Sequence, residues 1–318
     1  MPETLTVVVP VYNETAVLGA FHQRLVAVLA DCELDCQVLY VDDGSDPECL
    51  ALLQQLREQD ARVAVLELSR NFGRDIAVSA GLDHADADAV VVLDADLQDP
   101  PELIPQFIVQ WRQGYDVVYG QRVERRGESV FKRATASVFY RFLTYLSDVE
   151  IPRNVGDFRL LSRRAVKAVN TLPERHRYLK GLYAWIGFPQ TSVEYVRAPR
   201  AAGQSKWTYW RLWNHALDGI TSFSAVPLKA ATYLGLLTST LAFLYGAYML
   251  VRTLLYGNPV PGYPSLIIVV LFLGGVQLIC LGIIGEYLAR TYQESKGRAL
   301  YFLKGYYPAS AQSADKPD

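Results

Sequence analysis

The stretch Ala89-Val90-Val91-Val92-Leu93-Asp94-Ala95-Asp96-Leu97-Gln98-Asp99 decides how the rest of the chain is interpreted. Its apolar, mostly β-branched first half predicts a buried strand, and the two prolines that follow prevent the strand from continuing. Successive strand residues alternate between faces, so Asp94 and Asp96 reach one cation only if the backbone turns at Ala95. Such carboxylates suit Mg²⁺ or Mn²⁺ carrying a diphosphate, and the alternative is that Asp96 and Asp99 cap the next helix.

Three short apolar segments precede this stretch, and they alternate with longer segments in which apolar residues recur with helical periodicity. This alternation predicts a βαβαβαβ series. The strands are expected at residues 5–11, 38–41 and 62–68. This order specifies a parallel sheet with helices on both faces and with the loops after its strands gathered at one edge. The side chains expected around that crevice are Tyr12, Glu14, Asp43, Asn71, Asp94 and Asp96.

The ends of these strands carry acids where many nucleotide-binding proteins carry glycines. Neither Gly-x-Gly-x-x-Gly nor Gly-x-x-x-x-Gly-Lys-Ser/Thr occurs there, which excludes nucleotide binding in the manner of a dehydrogenase or a P-loop NTPase. The acids favour a metal-bridged diphosphate, with Asp43 placed to accept hydrogen bonds from a base or ribose. Turn and helix-cap roles are the alternative for Asp42, Asp43, Ser45 and Asp46, and we expect one or two of them to have such a role.

Composition and hydropathy set the class of protein. A net charge of −2 over 318 residues argues against a general nucleic-acid binder, which would show a basic excess. Residues 230–251 and 266–285 contain no charged side chain, and each segment is long enough to cross a bilayer as a helix. We predict transmembrane helices at about 228–252 and 265–288, the alternative being buried hairpin helices of a soluble domain. Lys and Arg flank the pair on its outer sides, which predicts that both termini are cytosolic, although Arg252 weakens the asymmetry.

Four segments in this order resemble the successive motifs of family 2 glycosyltransferases with the GT-A fold. They are Val9-Pro10-Val11-Tyr12-Asn13-Glu14, Val41-Asp42-Asp43-Gly44-Ser45, Arg70-Asn71-Phe72-Gly73 and Asp94-Ala95-Asp96-Leu97-Gln98. The chain is similar above all to the polyprenyl-phosphate glycosyltransferases, such as dolichyl-phosphate mannose synthase and bacterial bactoprenol glucosyltransferases. The resemblance covers nearly the whole chain, because the bacterial members also carry two membrane spans. Two small departures are Asp46-Pro47, after the second motif, and Arg74-Asp75, where Lys-Glu is common in that family.

The resemblance implies an α/β fold, with a Rossmann-like, mostly parallel GT-A catalytic domain at 1–205. An interfacial juxtamembrane helix at 206–226, a transmembrane hairpin at 227–290 and a cytosolic tail at 291–318 are expected to follow. Within the first domain, apolar positions three or four apart predict a basic amphipathic helix at 130–146 that lies in the headgroup layer, and a solvated surface helix is the alternative.

The resemblance also implies three groups of site residues. Asp94 and Asp96 are expected to hold Mg²⁺ or Mn²⁺. The residues expected to bind the nucleotide sugar are Pro10, Tyr12, Glu14, Asp43, Asn71, Ala95 and Gln98. The residues expected to bind the acceptor phosphate are Arg122, Lys132, Arg133, Ser137, Arg200 and Lys206.

Asp157 is the candidate catalytic base. It stands between Gly156 and Phe158, immediately before a predicted apolar strand, where an enzyme can place an acid that faces a cleft. A phosphate monoester is already largely ionised at neutral pH, so we expect Asp157 to orient the acceptor or to take its last proton. The alternative is a cap for a helix that starts near Ser162.

The predicted reaction is inverting transfer of a hexose, best glucose from UDP-glucose, to undecaprenyl phosphate at the cytosolic face of a bacterial inner membrane. The alternatives are a GDP-mannose-dependent polyprenyl-phosphate mannosyltransferase, a processive polysaccharide synthase, and a non-catalytic membrane anchor or lipid-sugar carrier. The expected partners are the nucleotide sugar, the polyprenyl phosphate and the bilayer, with no nucleic acid. A homo-oligomer and a downstream flippase for the lipid-linked sugar are further expectations.

Overall fold

The computed structural model describes residues 3–122, 155–175, 177–196, 224–257 and 262–310. The predicted amphipathic helix at 130–146 and nearly all of the predicted juxtamembrane helix at 206–226 lie outside these residues. The chain divides into two units. The first comprises Met1–Arg141, Val149–Trp213 and Arg298–Asp318, and the second comprises Phe142–Asp148 and Asn214–Gly297.

Strands and helices alternate along the first unit. The elements up to the Asp94 turn are β1 (Thr4–Val11), α1 (Thr15–Ala30), β2 (Asp35–Asp42), α2 (Pro47–Gln59), β3 (Val63–Leu68), α3 (Arg74–His84) and β4 (Ala89–Val92). A short 3-10 turn (Pro101–Leu103) is followed by α4 (Ile104–Arg112), β5 (Val117–Arg122), β6 (Val155–Ser162), α5 (Arg163–Thr171), α6 (Leu179–Trp185) and β7 (Gln190–Tyr195). The predicted βαβαβαβ series is therefore present, with strand ends within a few residues of those expected.

The strands of this unit form one mixed sheet in the order β7-β5-β6-β4-β1-β2-β3-β8, where β8 is Leu303–Tyr307. Strands β4, β1, β2 and β3 are parallel to one another, as predicted. Strand β6 is antiparallel to both β4 and β5, and β8 is antiparallel to β3. The insertion of β6 beside β4 places Asp157 on the strand next to the one that leads to Asp94.

The sheet and its helices enclose an apolar core. Helix α1 turns Leu18, Phe21 and Leu25 inward, and all three are fully buried, as is Tyr40 on β2. Burial of such a side chain contributes roughly 1.5–3 kcal/mol of hydrophobic stabilisation. This core fixes the strands rigidly, so the loops at their carboxyl ends are held in defined positions.

The described part of the second unit contains α7 (Val226–Tyr256) and α8 (Tyr263–Ser295), both longer than the predicted spans. Each is long and apolar enough to cross a membrane, with mean hydropathies of 1.6 and 2.8. Their large apolar side chains are exposed, for example Phe243 and Leu254 at 76% each. Exposed apolar surface of this extent favours association with a membrane over the alternative of buried hairpin helices.

Strand β8 is an element that the sequence analysis did not predict. The expected cytosolic tail at 291–318 instead contributes a strand to the sheet of the first unit. The Lys304 ammonium lies 2.5 Å from Oε1 of Glu67 on β3, and the backbone N–H of Ser69 donates to the carbonyl of Phe302 at 2.9 Å. Strand β8 and the residue before it are therefore joined to β3 and to the loop that follows it by backbone and side-chain bonds.

Candidate active site

A cleft of about 340 Å³ opens at the carboxyl ends of the parallel strands. The residues that line it are Pro10, Val11, Tyr12, Glu14, Asp43, Asn71, Gly73, Arg74, Asp94, Ala95 and Asp96. All six side chains expected around the crevice are among them. Of the predicted nucleotide-sugar residues, only Gln98 is absent from the lining: it is buried, and its backbone N–H donates to Asp96.

The turn after β2 is locked to the loop that precedes α3. The Asp43 carboxylate accepts the backbone N–H groups of Phe72 at 2.7 Å and Gly73 at 3.0 Å. Burial raises the pKa of Asp43, and these two N–H groups act against that shift. Gly44 has a φ of +70°, and a Cβ there would lie 2.5 Å from the carbonyl carbon of Arg70. Only glycine allows this close approach of the two loops.

The other acids near this turn have the local roles that were kept as alternatives. Asp46 caps α2 by accepting the backbone N–H of Cys49 at 2.9 Å. Asp42 accepts the N–H of Ser45 at 3.1 Å within the turn itself. Asp43 is therefore the acid of this group that lines the cleft.

The backbone turns at Ala95, as the sequence analysis required if Asp94 and Asp96 are to face one cation. Strand β4 ends at Val92, so both acids lie in the turn and not on the strand. Neither Asp96 nor Asp99 stands at the N-cap position of the following helix, because the N-caps of the 3-10 turn and of α4 are Pro100 and Leu103. Burial raises the pKa of Asp94, with Arg74 acting against the shift.

Arg74, at the first position of α3, connects three carboxylates. Its Nε lies 2.9 Å and its Nη2 2.8 Å from Oδ1 of Asp94. Its Nη1 lies 3.0 Å from Oδ1 of Asp75 and 3.5 Å from Oδ2 of Asp157. One guanidinium therefore joins the predicted metal ligand to the candidate base.

Asp157 lies within β6, not before a strand as predicted. Burial opposes its ionisation, but Arg74, Lys180 and Arg159 outweigh that effect and lower the pKa of Asp157 to about 2. The Lys180 ammonium lies 3.7 Å from its carboxylate. The helix-cap alternative is wrong for Asp157, since Ser162 caps the following helix. Asp157 is thus an anion at neutral pH, held by several cations.

Arg159 is one of the cations that lower the pKa of Asp157. Its buried guanidinium donates to the carbonyl of Gly156 at 3.0 Å and stacks on the ring of Tyr183 at 4.1 Å. The sequence analysis missed Arg159 and Lys180. Alternation along β6 could have found Arg159, because residues two apart on a strand share a face.

Arg122 ends β5 and is held in place by two partners. Its Nε donates to the Tyr195 hydroxyl at 3.1 Å, and its Nη2 lies 3.6 Å from Oδ1 of the buried Asp99. Tyr195 in turn donates to Asp99. The other predicted acceptor-phosphate residues, Lys132, Arg133, Ser137, Arg200 and Lys206, lie outside the described residues. The assignment of this group to the acceptor phosphate stays a prediction.

Comparison with known protein families shows to which family the chain belongs. The profile for glycosyl transferase family 2 matches residues 6–169, just over half of the chain. The chain belongs to glycosyl transferase family 2. A second profile, the GtrB C-terminal hairpin, matches residues 226–291, which contain most of α7 and α8.

Relatives match this family 2 chain over nearly its full length. An uncharacterized glycosyltransferase of Synechocystis is 48% identical over 94% of both chains. The bactoprenol glucosyl transferase of Shigella phage SfV is 46% identical over 94% of this chain and 98% of its own. A prophage bactoprenol glucosyl transferase homolog of Escherichia coli K12 is 43% identical over the same shares.

Among solved structures, glucosyl-3-phosphoglycerate synthase from Mycobacterium tuberculosis, in complex with Mn²⁺, UDP-glucose and phosphoglyceric acid, covers 69% of this chain and 78% of its own. Its identity is 20% and its TM-score is 0.45. The family match itself confirms the predicted resemblance, the GT-A-like mixed sheet and a hexosyltransferase activity. An enzyme is therefore favoured over the alternative of a non-catalytic anchor or carrier.

Proposed function

We propose that this protein transfers glucose from UDP-glucose to undecaprenyl phosphate, with inversion at the anomeric carbon, at the cytosolic face of a bacterial inner membrane. The observation that carries the proposal is that Arg74, which lines the cleft, contacts both Asp94 and Asp157, so the predicted metal ligand and the candidate acceptor acid lie on either side of one guanidinium. Relatives named bactoprenol glucosyl transferase support glucose and a polyprenyl phosphate as the transferred sugar and its acceptor.

The donor side of the cleft fits a divalent ion that arrives with a diphosphate. Within the described residues, no group of three His, Cys, Asp or Glu side chains could hold a metal ion. Asp94 and Asp96 therefore supply at most two protein ligands. Mg²⁺ and similar ions commonly bind through one or two carboxylates together with substrate phosphate oxygens and water. When bound there, Mg²⁺ or Mn²⁺ supplies positive charge that stabilises the departing diphosphate.

Asp43 and Tyr12 are the side chains best placed for the nucleoside. Each carboxylate oxygen of Asp43 has one backbone N–H partner and capacity for a second hydrogen bond, so Asp43 can accept a donor from a base or ribose. The ring of Tyr12 is 42% exposed at the cleft, which leaves its face open to a base.

The acceptor side is anionic at Asp157 and cationic around it. Because the pKa of Asp157 is about 2, its carboxylate is ionised throughout the neutral range. The acceptor phosphate is also largely ionised, so Asp157 orients it through the neighbouring cations instead of deprotonating it. A phosphate oxygen attacks the anomeric carbon while the bond from that carbon to the UDP oxygen breaks. A single in-line displacement of this kind inverts the anomeric centre.

The orientation in the membrane is supported by the distribution of charge. Arg290, Lys296 and Arg298 lie at or beyond the end of the second apolar segment, and Lys229 begins the first. Basic residues favour the cytosolic side, which would place the catalytic unit and the nucleotide sugar in the same compartment.

The test offers the detergent-solubilised protein undecaprenyl phosphate with radiolabelled UDP-glucose, UDP-N-acetylglucosamine or GDP-mannose in parallel. We expect chloroform-soluble label from UDP-glucose only, and none after addition of a chelator. Label from GDP-mannose would favour the mannosyltransferase alternative, and aqueous polymer would favour the processive synthase. Either result, or chloroform-soluble product in the presence of chelator, would contradict the proposal.

A further inference from the structure

We infer that Arg74 occupies the place of the divalent cation at Asp94 until the donor arrives, so that metal binding depends on the diphosphate. The inference rests on the proposed function, because it assumes a donor whose diphosphate is bridged by a metal. It assigns to Arg74 a role that neither the sequence motifs nor the fold required.

The geometry at Asp94 is that of a cation already in place. Two nitrogens of the Arg74 guanidinium, Nε at 2.9 Å and Nη2 at 2.8 Å, contact the same oxygen, Oδ1 of Asp94. The side chains of Arg74 and Asp94 are only 32% and 30% exposed, so water screens this contact incompletely. Arg74 therefore balances the negative charge of Asp94.

A divalent ion on Asp94 would meet this guanidinium at close range. The sum of a metal–oxygen bond and the observed contact places the two cations within roughly 5 Å of each other. Like charges repel strongly at that range in a partly desolvated site. Binding of the metal alone is therefore disfavoured as long as Arg74 stays on Asp94.

The diphosphate removes this conflict. Its negative charge attracts both cations, and the remaining guanidinium nitrogen, Nη1, already has carboxylates at 3.0 Å on Asp75 and at 3.5 Å on Asp157 to hold it. Arg74 can thus leave Asp94 without losing all of its partners. Because such coupling is reciprocal, the donor strengthens metal binding by the same factor as the metal strengthens donor binding.

Lys180 provides a matched control. It carries the same charge and lies 3.7 Å from the Asp157 carboxylate, and Asp94 is not among its ion-pair partners. Its removal changes the local charge by the same amount but leaves the Arg74–Asp94 contact in place. Comparison of the two variants therefore separates the effect of the Arg74–Asp94 contact on metal binding from the effect of losing one positive charge.

The experiment measures Mn²⁺ binding to the full-length protein in detergent, by electron paramagnetic resonance of free Mn²⁺, with and without UDP. In Arg74→Gln we expect the affinity for Mn²⁺ alone to rise about tenfold, which lies within the usual range of coupling between sites. The increase in Mn²⁺ affinity that UDP causes should be smaller in this variant than in wild type. Lys180→Gln should change the affinity for Mn²⁺ alone less than about threefold. Arg74→Lys keeps the charge but cannot place two nitrogens on one carboxylate oxygen, so its affinity for Mn²⁺ alone should lie between those of wild type and Arg74→Gln.

Unchanged or weaker binding of Mn²⁺ alone to Arg74→Gln would overturn the inference, as would an equal gain in Lys180→Gln. If Arg74→Gln does not fold, Arg74→Met, which also removes the charge, is measured in its place, and unchanged or weaker binding of Mn²⁺ alone overturns the inference in the same way. Absence of Mn²⁺ binding in every protein, even with UDP, would refute the metal site together with this inference. Glucosyl transfer is measured in a separate assay, so a failure of the proposed function is distinguishable from a failure of the inference about Arg74.

Discussion

Replacement of Gly44 by alanine tests whether the turn after β2 is locked by its contact with the next loop. A residue other than glycine at a φ of +70° costs about 1–2 kcal/mol. The added methyl would also lie 2.5 Å from the carbonyl carbon of Arg70 and 2.6 Å from the backbone nitrogen of Asn71. Backbone atoms cannot swing aside, and overpacking of this kind typically costs another 1–3 kcal/mol or so. The expected loss of stability is therefore about 2–5 kcal/mol.

Thermal unfolding of the detergent-solubilised protein measures this loss, which corresponds to a fall in midpoint of roughly 5–15 °C. Because the shifted loop carries the N–H groups that bind Asp43, affinity for UDP in calorimetry should fall as well. Gly19→Ala is the control: no atom lies within 4 Å of its added methyl, and it sits inside α1. Alanine there should stabilise the protein by about 0.5–1 kcal/mol. A Gly44→Ala midpoint equal to that of wild type would refute the argument.

Three further predictions concern the acceptor side and the end of the chain. In Gly156→Ala the new methyl would lie 2.7 Å from the flexible end of Arg122, so the KM for undecaprenyl phosphate should rise about threefold or more, while the midpoint and the KM for UDP-glucose stay unchanged. The lowered pKa of Asp157, about 2, means that its charge is lost only as the pH falls through that value. Asp157→Asn should therefore lower kcat at every assay pH. The acid limb of the pH profile near 6 belongs to the acceptor phosphate and should stay where it is in wild type. A shifted acid limb in Asp157→Asn would contradict this. Lys304→Ala removes the ammonium from the buried Glu67 and should lower the unfolding midpoint by a few degrees, and an unchanged midpoint would show that β8 is held without this pair.

The parallel part of the sheet and the cleft could be predicted because their signals are local. Apolar strands end directly in Tyr12, Asp43 and Asp94, and parallel strands necessarily bring their carboxyl ends to one edge. The choice between a cap and a cleft role for each acid could not be made in the same way. Asp46 and Asp43 stand three residues apart in the same turn, and only the packing of the α3 loop against Gly44 separates their roles.

The remaining features depend on contacts between distant parts of the chain. Arg74 finds its partners on the turn after β4 and on β6, and this requires the antiparallel insertion of β6 beside β4. Strand β8 is short and only partly apolar, and it pairs with β3 more than 230 residues earlier, as shown by the Lys304 to Glu67 contact at a separation of 237. Periodicity within a short window contains no information about either arrangement.

If the Asp94 turn supports glucosyl transfer to a lipid phosphate, loss of the Asp94 carboxylate must lower the rate of transfer. Transfer of radiolabelled glucose from UDP-glucose to undecaprenyl phosphate is measured for wild type, Asp94→Asn and Asp86→Asn. Asp86 is the control, since its side chain is 92% exposed and pairs with Arg163 outside the cleft. Asp94→Asn should lose activity by about 100-fold or more, the usual scale for removal of a transition-state contact, while Asp86→Asn stays near wild type. Wild-type activity in Asp94→Asn would contradict the account.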